Sequence, residues 1–178
     1  MLSASTKHRM QGGFSLLEML LATIILLVGL LAIAQLVPAT ILLNFRNRTD
    51  SSALVFAQRE LDQFIDQPSY LPSFTDVTGN TCALGNAATP NVVQGSPVVV
   101  INNQVVIDFT AAPVANYSFP VPYQDPNDPS GTAYDVRWTV IITGNGSNVS
   151  SKRFILGVRQ QGGSGYFKPI TLDTTVEK

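Results

Sequence analysis

The segment from Phe14 to Val37 constrains this chain more than any other, because only Ser15, Glu18, Thr23, Gly29 and Gln35 interrupt its apolar residues. At 1.5 Å per residue, a helix of this length extends about 36 Å, whereas a hydrocarbon core is about 30 Å thick. The segment is long enough to span a membrane. Composition agrees: charged residues make up 13% of the chain, against roughly 25% in ordinary soluble domains. Hydrophobic residues make up 45% and the mean hydropathy is +0.19, so part of the chain needs lipid. Lys7, His8 and Arg9 precede the run and favour a cytoplasmic N-terminal end, while Arg46 and Arg48 beyond it weaken that bias.

A conventional secretory signal peptide accounts for part of this pattern. It has a basic start, an apolar centre, and Ala32-Ile33-Ala34 as a small-x-small cleavage site before Gln35. The remainder would then be a secreted enzyme or an adhesive β-rich domain, released by cleavage after Ala34. Glu18 stands against that reading. A carboxylate within a membrane helix costs about 2.5–3.5 kcal/mol on insertion scales, and a discarded signal has no use for one. Glu18 needs a partner.

The hexapeptide Gly13-Phe14-Ser15-Leu16-Leu17-Glu18, with a short basic leader before it and an apolar run after it, resembles the class III signal of type IV pilins and type II secretion pseudopilins. The resemblance implies that prepilin peptidase cuts between Gly13 and Phe14 on the cytoplasmic side and methylates the new N-terminus. It further implies that Glu18, then the fifth residue, neutralises the N-terminal amine of a neighbouring subunit during assembly. The physical chemistry is compatible. Cleavage places an ammonium one turn from Glu18, and the helix dipole favours a carboxylate in the first turn. A carboxylate unpaired in one subunit and paired in the next would help to set axial register.

Pro38 leaves the carbonyl of Ala34 without its helical donor, so either a kink or a tolerated membrane-helix proline is expected there. Beyond it, Thr40 to Gln67 holds little that breaks a helix. Leu54, Ala57, Leu61, Phe64 and Ile65 fall at helical spacing, which predicts an apolar stripe under a globular head. Glu60, Asp62 and Asp66 are expected on the solvated side, and Pro68 ends the helix. Residues 69–97 predict an irregular connection, and the proline-rich stretch Ala111 to Gly131 a surface excursion.

Strands are expected at Val98 to Ile101 and Gln104 to Phe109, joined by Asn102-Asn103, at Ala133 to Ile142, at Arg153 to Gln160, and within Tyr166 to Thr174. In the central strand, Tyr134, Val136, Trp138, Val140 and Ile142 alternate with Asp135, Arg137 and Thr139. Antiparallel strands against one long helix give an α+β, type IV pilin-like fold. Four parts follow: a cytoplasmic leader at 1–13, removed; a transmembrane and assembly helix at 14–37; its amphipathic continuation at 38–67; and a periplasmic or extracellular β-rich head at 68–178.

Composition excludes several chemistries. His8 is the only histidine and Cys82 the only cysteine, so a His-dependent triad, a Cys/His zinc site and an intramolecular disulfide are ruled out. The net charge of −1, more negative once Lys7 and Arg9 leave with the leader, argues against nucleic acid as a partner. Asp125, Asn127 and Asp128 lack EF-hand spacing and suit turns. Arg137, Arg153 and Arg159, with Tyr166 and Lys168, predict a salt-bridged sheet face rather than a DNA strip. No catalytic residue, metal or cofactor is assigned, and no enzyme activity is expected.

Ala53 to Gln67 and Tyr134 to Val140 resemble PilV-type minor pilins and I-type minor pseudopilins. That likeness implies a minor subunit held in the bacterial inner membrane by one pass, with a cytoplasmic N-terminus and a periplasmic head. Its partners would be prepilin peptidase, other minor and major pilins or pseudopilins, and the inner-membrane assembly platform. It would join an initiating or tip complex of a type IV pilus or a type II secretion pseudopilus, and both remain open.

Overall fold

The computed structural model describes residues 15–125, 128–145, 148–161 and 169–177. The chain divides into two compact units, Met1–Phe45 and Arg46–Lys178. One helix, α1 (Leu16–Asp66), contributes to both. Among the described residues nine strands follow: β1 (Ser73–Thr75), β2 (Thr81–Ala83), β3 (Val93–Gly95), β4 (Val98–Ile101), β5 (Gln104–Ile107), β6 (Ser118–Asp125), β7 (Asp128–Asn145), β8 (Asn148–Gln161) and β9 (Ile170–Glu177). The expected α+β arrangement, a long apolar helix followed by antiparallel sheet, is what the chain adopts.

In the first unit, the side chains from Ser15 to Asn44 are all exposed, although Leu, Ile, Val and Met predominate among them. Leucine, methionine and alanine are good helix formers. Without water to pair with, backbone groups in lipid favour the fully hydrogen-bonded helix. The hydroxyls of Thr23 and Thr40 bond back to carbonyls within α1, at Leu20 and Leu36, so neither presents an unpaired donor. Pro38 lies within α1, which continues through it to Asp66.

The second unit is built on the β7–β8 hairpin. β9 pairs with β8, while β7's other edge is shared: β6 covers the stretch up to Arg137, and β3 pairs with Thr139 to Ile141. Between β3 and β6 the chain leaves the sheet and returns almost to the point of departure. Ser96 donates its amide to the Trp138 carbonyl at 3.0 Å, the Trp138 amide bonds the Tyr117 carbonyl at 3.1 Å, and the Ser96 hydroxyl bonds that same carbonyl at 3.0 Å. The excursion contains the β4–β5 hairpin, whose turn residues Asn102 and Asn103 have φ of 50° and 62°. Two consecutive positive values make the type I′ turn that the Asn-Asn pair predicts.

Tyr134, Val136, Trp138, Val140 and Ile142 form one buried face with Phe154, Leu156 and Val158. Against it α1 lays Ala53, Ala57, Leu61 and Phe64, and the Phe64 ring meets Trp138 at 5.0 Å and Phe154 at 5.7 Å between centroids. Compared with the expected stripe, the buried face of α1 is rotated. Leu54 and Ile65 are each more than a third exposed, while Glu60 is 1% exposed. Ala53 and Ala57 have the small side chains that let the helix backbone approach the sheet.

Two other expectations are corrected. The stretch Ala111 to Gly131 contains β6 and the start of β7, so it is not purely a surface excursion; Phe119 and Val121 join the core beneath α1. Pro120 and Pro122 are compatible with β6 because they are two residues apart on an edge strand. Their missing N–H groups then fall on the unpaired side. The connection at 69–97 likewise contains the short strands β1, β2 and β3. The last strand spans Ile170–Glu177 among the described residues, and residues 166–168, where the expected strand starts, lie outside them.

The second face of the sheet is covered as well. Ile107 and Phe109 pack on Ile155, with Val98, Val105 and Ile141 around them. Gly157 makes this contact possible, since a Cβ there would sit 2.9 Å from the Ile107 side chain and 3.0 Å from the Phe109 ring. Gly157→Ala should therefore destabilise the head by about 1–3 kcal/mol, the usual cost of overpacking. Thermal melting of the variant checks this; an unchanged melting temperature would mean that the hairpin does not bear on the sheet there.

Candidate processing and assembly segment

α1 begins with its own cap. The Ser15 hydroxyl accepts the Glu18 amide at 3.2 Å, and its carbonyl accepts the amides of Glu18 and Met19 at 3.1 and 3.2 Å. Serine at the N-cap with glutamate three residues later is the sequence pattern of a capping box, a signal legible in Ser15-Leu16-Leu17-Glu18 that the reading by hydropathy passed over. The structure thus places Glu18 in the first turn of α1, exposed, with apolar residues on every side of the helix that follows. Gly13 and Phe14 lie outside the described residues. Pro38 is within the exposed part of the helix, well away from Glu18 in sequence.

The stretch Leu16–Asn44 is long and apolar enough to cross a membrane, and none of its most apolar window is buried by the rest of the chain. So large an apolar surface must be covered by lipid or by other protein. One carboxylate at the start of such a helix can accept a proton, a hydrogen bond or an ammonium partner. The model of the prokaryotic N-terminal methylation motif matches residues 8–34. The matched stretch contains Gly13, Phe14 and Glu18 and most of the membrane-length helix. The motif supports a type IV pilin- or pseudopilin-like precursor, a structural protein processed by prepilin peptidase and assembled with other pilins, and the α+β arrangement is consistent with a pilin-like fold. No curated protein and no solved structure matches the chain.

In the head, the three arginines are all paired. Arg137 reaches both Asp135 oxygens through Nε at 3.1 and 3.0 Å, and its Nη1 donates to the Ala111 carbonyl at 2.7 Å. Arg159 lies 3.6 Å from Asp135, and Arg153 forks onto Asp173. The Arg137 and Arg159 guanidinium groups each lie over the Phe109 ring, 5.1 and 4.8 Å from its centroid. This is the salt-bridged sheet face expected from the sequence; Tyr166 and Lys168 lie outside the described residues. Asn127 lies outside them too, and among the described residues no group of three His, Cys, Asp or Glu side chains could hold a metal.

Sequence reasoning missed the buried charges. Lys152 is 4% exposed, and its ammonium donates to the carbonyls of Leu71 and Leu84, each at 2.9 Å. Burial pushes it down to about 8. It lines a small cavity with Gln67 and Pro68 at the end of α1, where the helix has no basic residue of its own in its last turn. A cation at that position suits the helix dipole. Glu60, expected in solvent, is buried instead. Its carboxylate accepts from Gln63 Nε2 at 3.1 Å and lies 3.4 Å from Arg59 Nε, a side chain 44% exposed. Burial, with Asp76 nearby, raises it above the ordinary carboxylate range against the opposing pull of Arg59 and Gln63. Burial likewise pushes the Cys82 thiol up to about 12, aided by Asp76 and Glu60, which leaves it protonated and inert.

Proposed function

We propose that this chain is a minor pilin-like subunit of a type IV pilus or a type II secretion pseudopilus. Prepilin peptidase removes residues 1–13 and methylates Phe14, and the subunit waits in the inner membrane with a periplasmic head. It then enters an initiating or tip complex through α1, with the assembly platform and other pilins or pseudopilins as partners. Glu18 pairs with the N-terminal amine of a neighbour, and Pro38 lets the helix bend as it packs. The observation that carries this reading is the methylation motif over residues 8–34 at the head of an exposed, membrane-length helix. A carboxylate so placed is costly alone and stabilising when paired, which makes pairing the step that selects register.

N-terminal sequencing of the mature protein tests the reading. Methylated Phe14 supports it; Gln35 would overturn it in favour of a secreted domain with a conventional signal peptide. The assembly role has its own test. Glu18→Ala should be cleaved as fast as the wild type and remain in the membrane, yet its share of the sheared fibre or minor-pilin fraction should fall by about tenfold, the effect of about 1.4 kcal/mol. Wild-type recovery in that fraction would remove Glu18 from assembly while leaving the processing step intact.

A further inference from the structure

The β4–β5 hairpin is apolar on both of its faces, and only one of them is used within the chain. Val98, Val105 and Ile107 turn toward the sheet, where they pack with Phe109, Ile155 and Ile141. The alternate residues Val99, Ile101 and Val106 turn away, with Val99 39% and Ile101 53% exposed. An unbroken apolar run such as Val98-Val99-Val100-Ile101 is the pattern of a strand covered on both sides. Charge follows the same pattern. Between Asp76 and Asp108, residues 77–107 contain no Asp, Glu, Lys or Arg.

The outer edge of β4 is open as well. β4 pairs with β5 alone, Val98 opposite Ile107 and Ile101 opposite Gln104, and the Asp108 amide bonds the Pro97 carbonyl at 2.8 Å. Bonded and non-bonded positions alternate along an antiparallel pair. Counting from Pro97, Val99 and Ile101 therefore bond β5, while Val98 and Val100 direct their N–H and C=O groups away from it. Among the described residues no other backbone group takes these up, and Val100 is 67% exposed. The strand β9 also ends its sheet, but it carries Asp173 and Glu177, both exposed, and charges on an edge discourage pairing. β4 has no such guard.

We propose that the outer edge of β4 is a docking site for an extended, uncharged, apolar strand from the head of a neighbouring subunit, which adds to the hairpin as its third strand. This rests on the pilin-like reading, in which assembly through α1 holds heads close to one another. Unpaired backbone donors and acceptors on an edge select a strand. The lack of charge over residues 77–107 selects a partner that is also uncharged, because a charged side chain set against Val99 and Ile101 would lose its water and gain no counter-charge. The shortness of β4 sets the strength. Val98 and Val100 alone offer too few groups to hold free heads together, so the isolated head stays monomeric. Once α1 has joined the assembly, the tethered head meets its neighbour at high effective concentration and the edge closes.

The test compares the full-length wild type with Val100→Pro, which removes the outward N–H and leaves the bonded positions of β4 in place, and with Val100→Thr, which keeps that N–H. All three should be processed and held in the membrane alike. Val100→Pro should fall about three- to tenfold in the sheared fibre or minor-pilin fraction, the effect of one lost backbone hydrogen bond, and Val100→Thr should stay near wild type. Amide exchange in the wild type gives a measurement independent of how the variant folds. Val98 and Val100 should exchange freely in detergent micelles and be protected at least about tenfold in the assembled fraction, with Val99 and Ile101 protected in both. Equal recovery of wild type and Val100→Pro, or Val98 and Val100 amides that exchange as fast in the assembled fraction as in micelles, would overturn the docking edge alone. A wild type that is not cut at Gly13, or that never enters the fraction, would overturn the pilin-like reading and the docking edge with it.

Discussion

A fragment that starts at Arg46 should fold as a soluble monomer, and one that starts after Pro68 should aggregate. The first boundary coincides with the edge of the compact unit Arg46–Lys178 and removes the exposed apolar helix while keeping the residues that cover the sheet. The second removes Ala53, Ala57, Leu61 and Phe64 together, along with Phe56, whose ring lies 5.1 Å from that of Tyr134. Fully burying a side chain such as Leu or Phe contributes about 1.5–3 kcal/mol, so the lost contacts are comparable with the whole stability of a small domain, about 5–15 kcal/mol. They also uncover Trp138, Val136, Val140, Phe154 and Leu156 as one apolar patch, which is an aggregation liability. Solubility and melting of the two fragments decide the matter. A shorter fragment that is equally soluble and melts cooperatively would show that α1 is not part of the head's core.

The second large effect is expected at the leader. Gly13→Ala should leave the chain as an unprocessed precursor in the inner membrane, with cleavage slowed by at least about tenfold, the factor that one mismatch of about 1.4 kcal/mol in the transition state produces. A residue directly before a scissile bond must lie against the peptidase's catalytic groups, and only glycine allows that approach without a Cβ. A chain cut after Ala34 by a conventional signal peptidase would be indifferent to the change. Immunoblotting of membrane fractions for precursor and mature forms separates the two outcomes, and processing at the wild-type rate would sink the pilin-like reading.

Much of this molecule is legible where local chemistry and tertiary packing agree. The alternation around Trp138 and the Asn102-Asn103 turn are two cases; the former records a face buried under α1 and the latter a backbone demand for positive φ. Legibility fails where a neighbour in space overrides the local pattern. Asp135, Arg137 and Thr139 read as the outer side of a half-exposed strand, yet each is at most 4% exposed because the 98–111 segment lies over them. Prolines masked β6, since proline density says loop unless the partner strand shows which edge is free. Glu60 reads as solvated because hydropathy weighs its charge and ignores Ala53 and Ala57, whose small side chains draw that flank of the helix inward. At the candidate site, the motif around Gly13 and the apolar run were readable, while the cap by Ser15 lay in a spacing of hydroxyl and carboxylate that hydropathy does not register.

The pinched excursion between β3 and β6 has an architectural consequence. Because Ser96 and Tyr117 are both tied to Trp138 and to each other, residues 97–116 form an appendix whose two ends meet at one point on the sheet edge. Ile107 and Phe109 hold the inner face of this appendix on Ile155 and Gly157, so its exposed tip around Asn102 and Asn103 is the part that can be lengthened or exchanged while β7, β8 and α1 keep their register. Variation in the surface that the head displays can therefore be confined to one tip, with the ends and inner side of the excursion fastened to the sheet.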